Sequence, residues 1–160
     1  MRVSRFTNLF LVGLLAGLLV GVLMVEIALL EVPASVYTAV EKPKHEVFEP
    51  IAIVYVLVVV SGIFILSMSR REFKTTTFVL TLVGMLCVIA SVITTLLVNV
   101  PINAEIMDAW SVENPPANWA EVRDRWNLFH AIRTVSMVVA FFCLSLAATL
   151  TRNVNPNRGG

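Results

Sequence analysis

Charge is scarce in this chain, and the shortage sets its class. Only 14% of the 160 residues are Asp, Glu, Lys or Arg, where a soluble domain carries about 25%. With 58% hydrophobic residues and a mean hydropathy of +0.84, an ordinary water-soluble globule is excluded. Cysteine is scarce too. Cys87 and Cys143 both fall inside apolar runs without a C-x-x-C pair, which argues against thiol–disulfide exchange with a quinone and leaves buried structural thiols. The two histidines, His45 and His130, are far apart, and no H-x-x-x-H or E-x-x-H spacing occurs. The metal signal is therefore weak, with His130, Glu26 and His45 as its alternative ligands. A phosphate-cradling glycine loop and a serine nucleophile motif are both missing. The net charge of +1, with no basic stripe, speaks against a nucleic-acid partner.

What the chain does have is apolar length. A spanning helix needs roughly 20 mostly apolar residues, and four stretches qualify: about 6–30, 50–68, 76–98 and 126–150. The expected fold is all-α: an integral membrane four-helix bundle forming one domain over residues 1–152. A partly helical outer loop is expected between the third and fourth spans, and 153–160 reads as a polar tail. Arg2 and Arg5 before the first apolar run could mark a cleaved signal peptide. That run exceeds the ~7–15 residues of a usual signal core and lacks a clear A-x-A site, so a retained helix is expected.

Charge layout orients the bundle. Arg2, Arg5, Arg70, Arg71, Lys74, Arg152 and Arg158 gather on one side with Glu72 as the only acid. The other side carries ten acids against Lys42, Lys44, Arg123, Arg125 and Arg133. The Lys/Arg bias places both termini in the cytoplasm of a cell-membrane protein, with the long links outside. Arg70 and Arg71 are expected to meet lipid headgroups.

Within the spans, Gly13, Gly17 and Gly21 recur every four residues, a membrane packing device that suits homo-oligomers. Glu26 lies about 140° from Gly21 around the helix. It reads either as a partner of Arg133 or His130, or as a rim carboxylate reaching water. The third span has a polar seam of Thr81, Gly84, Ser91, Thr95 and Asn99. Pro101 should kink or end that helix, freeing the carbonyl of Leu97. Asn99 and Asn103, four apart, can point inward together and offer uncharged donors and acceptors, or can merely cap a broken helix.

A helix starting at Asn118-Trp119, where Glu121 fits a capping pattern, places its polar residues narrowly. Relative to Trp119, residues Arg123, Trp126, His130 and Arg133 fall at about 40°, 340°, 20° and 320°, with Met137 and Phe141 continuing the stripe. Two indoles, two guanidinium groups and an imidazole must face the bundle, because lipid rejects them. His130 can act as a base, proton shuttle or ligand, and Arg133 can stabilise an oxyanion. Trp119 and Trp126 suit an aromatic ligand, although tryptophan also forms interface belts.

The run Asn99-Val-Pro-Ile-Asn103, Trp110, Pro115-Pro116, Trp119, Arg125-Trp126, His130 and Arg133 resembles the anthrone oxygenase-like family of small four-span membrane proteins. In the first half the likeness rests on the glycine-rich opening span and Pro33. The resemblance implies oxidation of an anthrone-type apolar aromatic by O₂ as co-substrate, without an added cofactor. On that reading His130 is the base and Arg133 with Asn99 holds the oxyanion. Trp126, Trp119, Asn103, Arg123 and Trp110 would bind the substrate. The alternative is a non-catalytic membrane protein that binds lipid, a small hydrophobic ligand or a partner membrane protein. A transporter fits less well, since four short spans without inverted halves offer little for alternating access.

Overall fold

The apolar stretches become four long helical rods in the computed structural model, which describes residues 2–152. The expected polar tail and Arg158 lie outside the described residues. Helix α1 covers Arg2–Ala28, and α2 (Ala34–Phe48) passes through a 3₁₀ turn at Glu49–Ile51 into α3 (Ala52–Ser69). Helix α4 (Thr76–Thr94) passes through a π turn at Thr95–Asn99 into α5 (Val100–Ala109), and α6 covers Trp119–Arg152. Each rod is long and apolar enough to cross a membrane. The protein is thus an all-α, multi-pass membrane bundle, with no strand among the described residues.

Two details differ from expectation, both through proline. The first outer link is not a loop, since Pro33 in extended conformation starts α2 and that helix runs on into α3. Pro101 does not end the third rod. The π turn just ahead widens the helix by one residue, and the Val100 N–H reaches the Thr95 carbonyl. Helicity then continues to Ala109. Such single π turns often sit beside functional sites. The short link between α3 and α4 ends at Thr75, whose hydroxyl accepts from the Phe78 N–H at 3.2 Å and caps α4.

Helix α6 is the centre of the bundle, packed most extensively on α4 and then on α1. In the inner half, Val12, Leu15, Val58, Val88, Met137 and Ala140 form a close-packed core. Helix α4 comes close to the α6 backbone at Gly84, where an added Cβ would lie 3.2 Å from the Ala140 carbonyl oxygen and 3.0 Å from Leu144. The α1 glycines divide. A Cβ on Gly13 would meet the Phe141 ring at 2.9 Å, whereas Gly17 and Gly21 face open space. The three glycines therefore do not form one free docking stripe, because Gly13 is used within the chain. Phe141, expected in line with the α6 stripe, is 40% exposed. Asn8 is buried on α1 and donates to the Val58 carbonyl (2.9 Å) and the Ser61 hydroxyl (2.8 Å) of α3.

Gly84→Val should lower the thermal unfolding midpoint of the detergent-solubilised protein clearly more than Gly17→Val. Equal shifts would mean that the α4–α6 approach does not set the packing.

Candidate functional site

The half of the bundle away from Arg2 and the α3–α4 link is built around Trp126, which is buried. The N-x-P-x-N segment holds it from two sides. Asn99 Nδ2 donates to the Trp126 carbonyl at 3.1 Å, and the Trp126 indole N–H donates to Asn103 Oδ1 at 2.6 Å. Asn99 and Asn103 do point inward together, as their spacing allows, because the π turn keeps the backbone helical between them. Asn99 is fully buried behind Trp126.

His130, one turn further along α6, is fully buried and stacks on Trp126 with ring centroids 4.7 Å apart and planes 10° apart. Its Nδ1 accepts from Arg133, from Nε at 3.0 Å and from Nη2 at 2.7 Å. A guanidinium can only donate, so Nδ1 carries the lone pair and the proton sits on Nε2. That Nε2–H donates to the Leu19 carbonyl of α1 at 3.0 Å. Both imidazole nitrogens are thus occupied. Arg133 completes its contacts through Nη1, which donates to the Thr95 hydroxyl in the π turn at 3.3 Å. Its guanidinium carbon lies 5.5 Å from the Trp126 ring centroid. Among the described residues the ion pairs are Lys44–Glu26, Lys44–Glu41 and Arg123–Asp124, so Arg133 has no carboxylate in direct contact.

A cavity of about 600 Å³ opens beside this unit, within the ~300–1,000 Å³ range of small-molecule sites. Trp126, Arg133, Asn103, Thr95 and Tyr55 line one part of it, and Glu41, Lys44 and His45 of α2 line another. Of the residues singled out from sequence, Trp126, Arg133, Asn103 and His45 reach the cavity wall. His130 and Asn99 stand directly behind it. Trp110, Trp119 and Arg123 do not line it. Instead they pack around the buried Tyr37, with ring centroids 6.2 Å (Trp110) and 5.8 Å (Trp119) from it. Arg123 lies 4.8 Å from the Trp119 ring and donates to the Leu30 carbonyl at 2.7 Å. This aromatic cluster closes that end of the bundle.

Glu26 pairs neither with Arg133 nor with His130, and it is not a rim carboxylate. It is buried and takes Lys44 as its ion-pair partner, with Tyr37 O–H donating to Oε2 at 3.4 Å. Lys44 also pairs with Glu41 and places its ammonium 4.9 Å from the Trp126 centroid. The trio His130, Glu26 and His45 is not brought together. Among the described residues, no three His, Cys, Asp or Glu side chains are grouped to hold a metal. Glu41 and Lys44 escaped the sequence reading because α2 looked like an outer link. Their i, i+3 spacing on a helix was the available signal.

The family model for anthrone oxygenase matches residues 38–143. The chain belongs to the anthrone oxygenase family. The matched stretch runs from α2 through most of α6, so it takes in every cavity-lining residue named above from those helices and leaves out α1. Membership in this family indicates an oxygenase-type role. No curated protein and no solved structure matches the chain.

Asn103→Leu removes the acceptor of a buried indole N–H, which costs about 1–3 kcal/mol. A lower thermal unfolding midpoint and an altered tryptophan emission spectrum are expected. An unchanged spectrum would show that Asn103 does not hold Trp126.

Proposed function

We propose that this family member is a membrane-embedded oxygenase that takes a flat, apolar, anthrone-type ketone into the cavity beside Trp126 and oxidises it with O₂. The observation that carries this reading is Arg133, a cavity-lining cation with no carboxylate in direct contact. A buried charge at membrane depth is costly unless it serves a pathway or a ligand. An aromatic ketone that loses its benzylic proton becomes an enolate, and its oxyanion supplies the missing negative charge. The indole of Trp126 offers a flat apolar wall for the ring system.

The proposed reaction balances without an added cofactor. A base removes one benzylic proton to give the enolate, which passes one electron to O₂. The resulting carbon radical and superoxide combine, forming a C–O bond. The peroxide is protonated, the second benzylic proton leaves, and the O–O bond breaks heterolytically. The methylene carbon becomes a carbonyl, and the other oxygen atom leaves as water.

His130 fits a different role from the base expected from sequence. Its lone pair is held by Arg133 and its N–H by Leu19, so it acts through Arg133 as a positioning residue. Asn99 likewise acts through Trp126 rather than on the oxyanion itself.

The test is oxygen uptake by the purified protein given an anthrone, with quinone formation followed by absorbance. Arg133→Met should lower kcat by roughly 10²–10³, the typical effect of losing an oxyanion donor. His130→Asn keeps an acceptor for Arg133 and should retain more turnover than His130→Leu. Wild-type uptake no faster than spontaneous oxidation of the anthrone would sink the reading, and a non-catalytic ligand-binding protein would take its place.

The cavity lies at the end of the bundle away from Arg2, Arg70, Arg71 and Lys74, and we infer that this end faces outward from the cell membrane. A cysteine placed at Glu113, in the outer turn after α5, should react with an impermeant maleimide on intact cells, and one at Lys74 should not. The reverse pattern would invert the orientation.

A further inference from the structure

We propose that Glu41 is the proton acceptor of the cavity, taking the benzylic proton of the bound ketone while Lys44 holds its carboxylate in place. This rests on the oxygenase reading above and supplies the base which that reading lacks. Arg133 can only donate, and both His130 nitrogens are engaged. The base must therefore come from elsewhere on the cavity wall.

The acidic groups on that wall are Glu41, Glu46, Glu49 and Asp108. Glu46, Glu49 and Asp108 are exposed, whereas Glu41 is buried. A C–H proton is abstracted most readily where water does not compete for the enolate, and Glu41 is the wall carboxylate in such a place. Its position is fixed twice. Lys44 pairs with it and also stands 4.9 Å from the centroid of Trp126, the indole that Arg133 overlies, so one ammonium ties the carboxylate to the cavity wall. Glu26 behind them is paired with Lys44 and receives the Tyr37 hydroxyl. It does not line the cavity and serves as an anchor.

Charge accounting gives the direction of proton flow. One ammonium between two carboxylates leaves the Glu26–Lys44–Glu41 cluster with one excess negative charge. Arg133 across the site carries a positive charge with no carboxylate in contact, Glu26 acting on it only from a distance. Moving a proton from substrate carbon to Glu41 neutralises the first excess, and the enolate oxygen facing Arg133 neutralises the second. In a low-dielectric site both changes favour the ionised substrate.

One carboxylate can serve the whole oxidation. Glu41 takes the first benzylic proton and returns it to the peroxide oxygen once the C–O bond has formed. It then takes the second proton as the O–O bond breaks, and gives it to the departing hydroxide to make water. Glu41 ends unprotonated, and O₂ is the only oxidant consumed.

The experiment uses the full-length protein in detergent with anthrone and O₂, comparing wild type, Glu41→Gln, Glu41→Asp and Glu41→Ala. Glu41→Gln should lower kcat by roughly 10²–10⁴, the usual worth of a positioned base. It should still bind the anthraquinone product, read from tryptophan quenching. Glu41→Asp should fall between, and added formate should restore part of the Glu41→Ala rate. Wild type should show a primary isotope effect with the benzylic position deuterated. Glu41→Gln retaining more than a tenth of wild-type kcat overturns the proposal while leaving the oxygenase reading intact. So does a loss confined to His45→Gln, which would move the base to that imidazole. A folded Glu41→Ala that formate does not rescue, with Glu41→Asp equally dead, also overturns it. An inactive wild type overturns both readings at once.

Discussion

The contact between the Arg133 guanidinium and His130 Nδ1 is the interaction on which the cavity-bearing half of the bundle depends. A cation this deep in an apolar protein needs compensation, and no carboxylate among the described residues touches it, Glu26 acting only from a distance. Hydrogen bonds and an aromatic face do so in part. His130 is locked by the Leu19 carbonyl of α1, Arg133 reaches Thr95 in the π turn, and both lie against Trp126. Three of the four rods therefore meet at one polar knot. The remaining attraction points into a cavity, where a developing anion would complete it.

The π turn is what lets the third rod take part. A regular helix through Pro101 would strand the Leu97 carbonyl and break the line of the rod. Widening the preceding turn absorbs the irregularity and keeps Asn99 and Asn103 on the face that grips Trp126. The inner half of the bundle is packed without such devices, through Gly84 against Ala140 and the apolar core. The protein is thus close-packed at one end and hollow at the other. The hollow is bounded by polar groups that are themselves held in place.

Much of this was legible in the sequence. Apolar runs of spanning length specified four helices, because lipid leaves the backbone no other way to satisfy its hydrogen bonds. The 3.6-residue period placed Trp126, His130 and Arg133 on one face of α6. Spacing of four joined Asn99 to Asn103. Trp119, Arg123 and Trp110 carried the same residue types but landed in the cluster around Tyr37. Helical phase says which way a side chain points, yet not which helix stands opposite. Glu41 and Lys44 gave little signal because two prolines flank α2, and the segment reads as a link.

By itself the sequence determined the fold class, the membrane setting and the inward face of the last helix. These follow from local periodicity and from the solvent the chain must satisfy. Only the tertiary structure decided which polar groups share the cavity. It engaged both ring nitrogens of His130, one with Arg133 and one with the Leu19 carbonyl, and it paired Glu26 with Lys44. It also brought Glu41, from a distant part of the chain, to the cavity that Trp126 and Arg133 line. Each outcome depends on a contact between different helices, and the strength of such a contact is set by distance and burial that no single segment encodes.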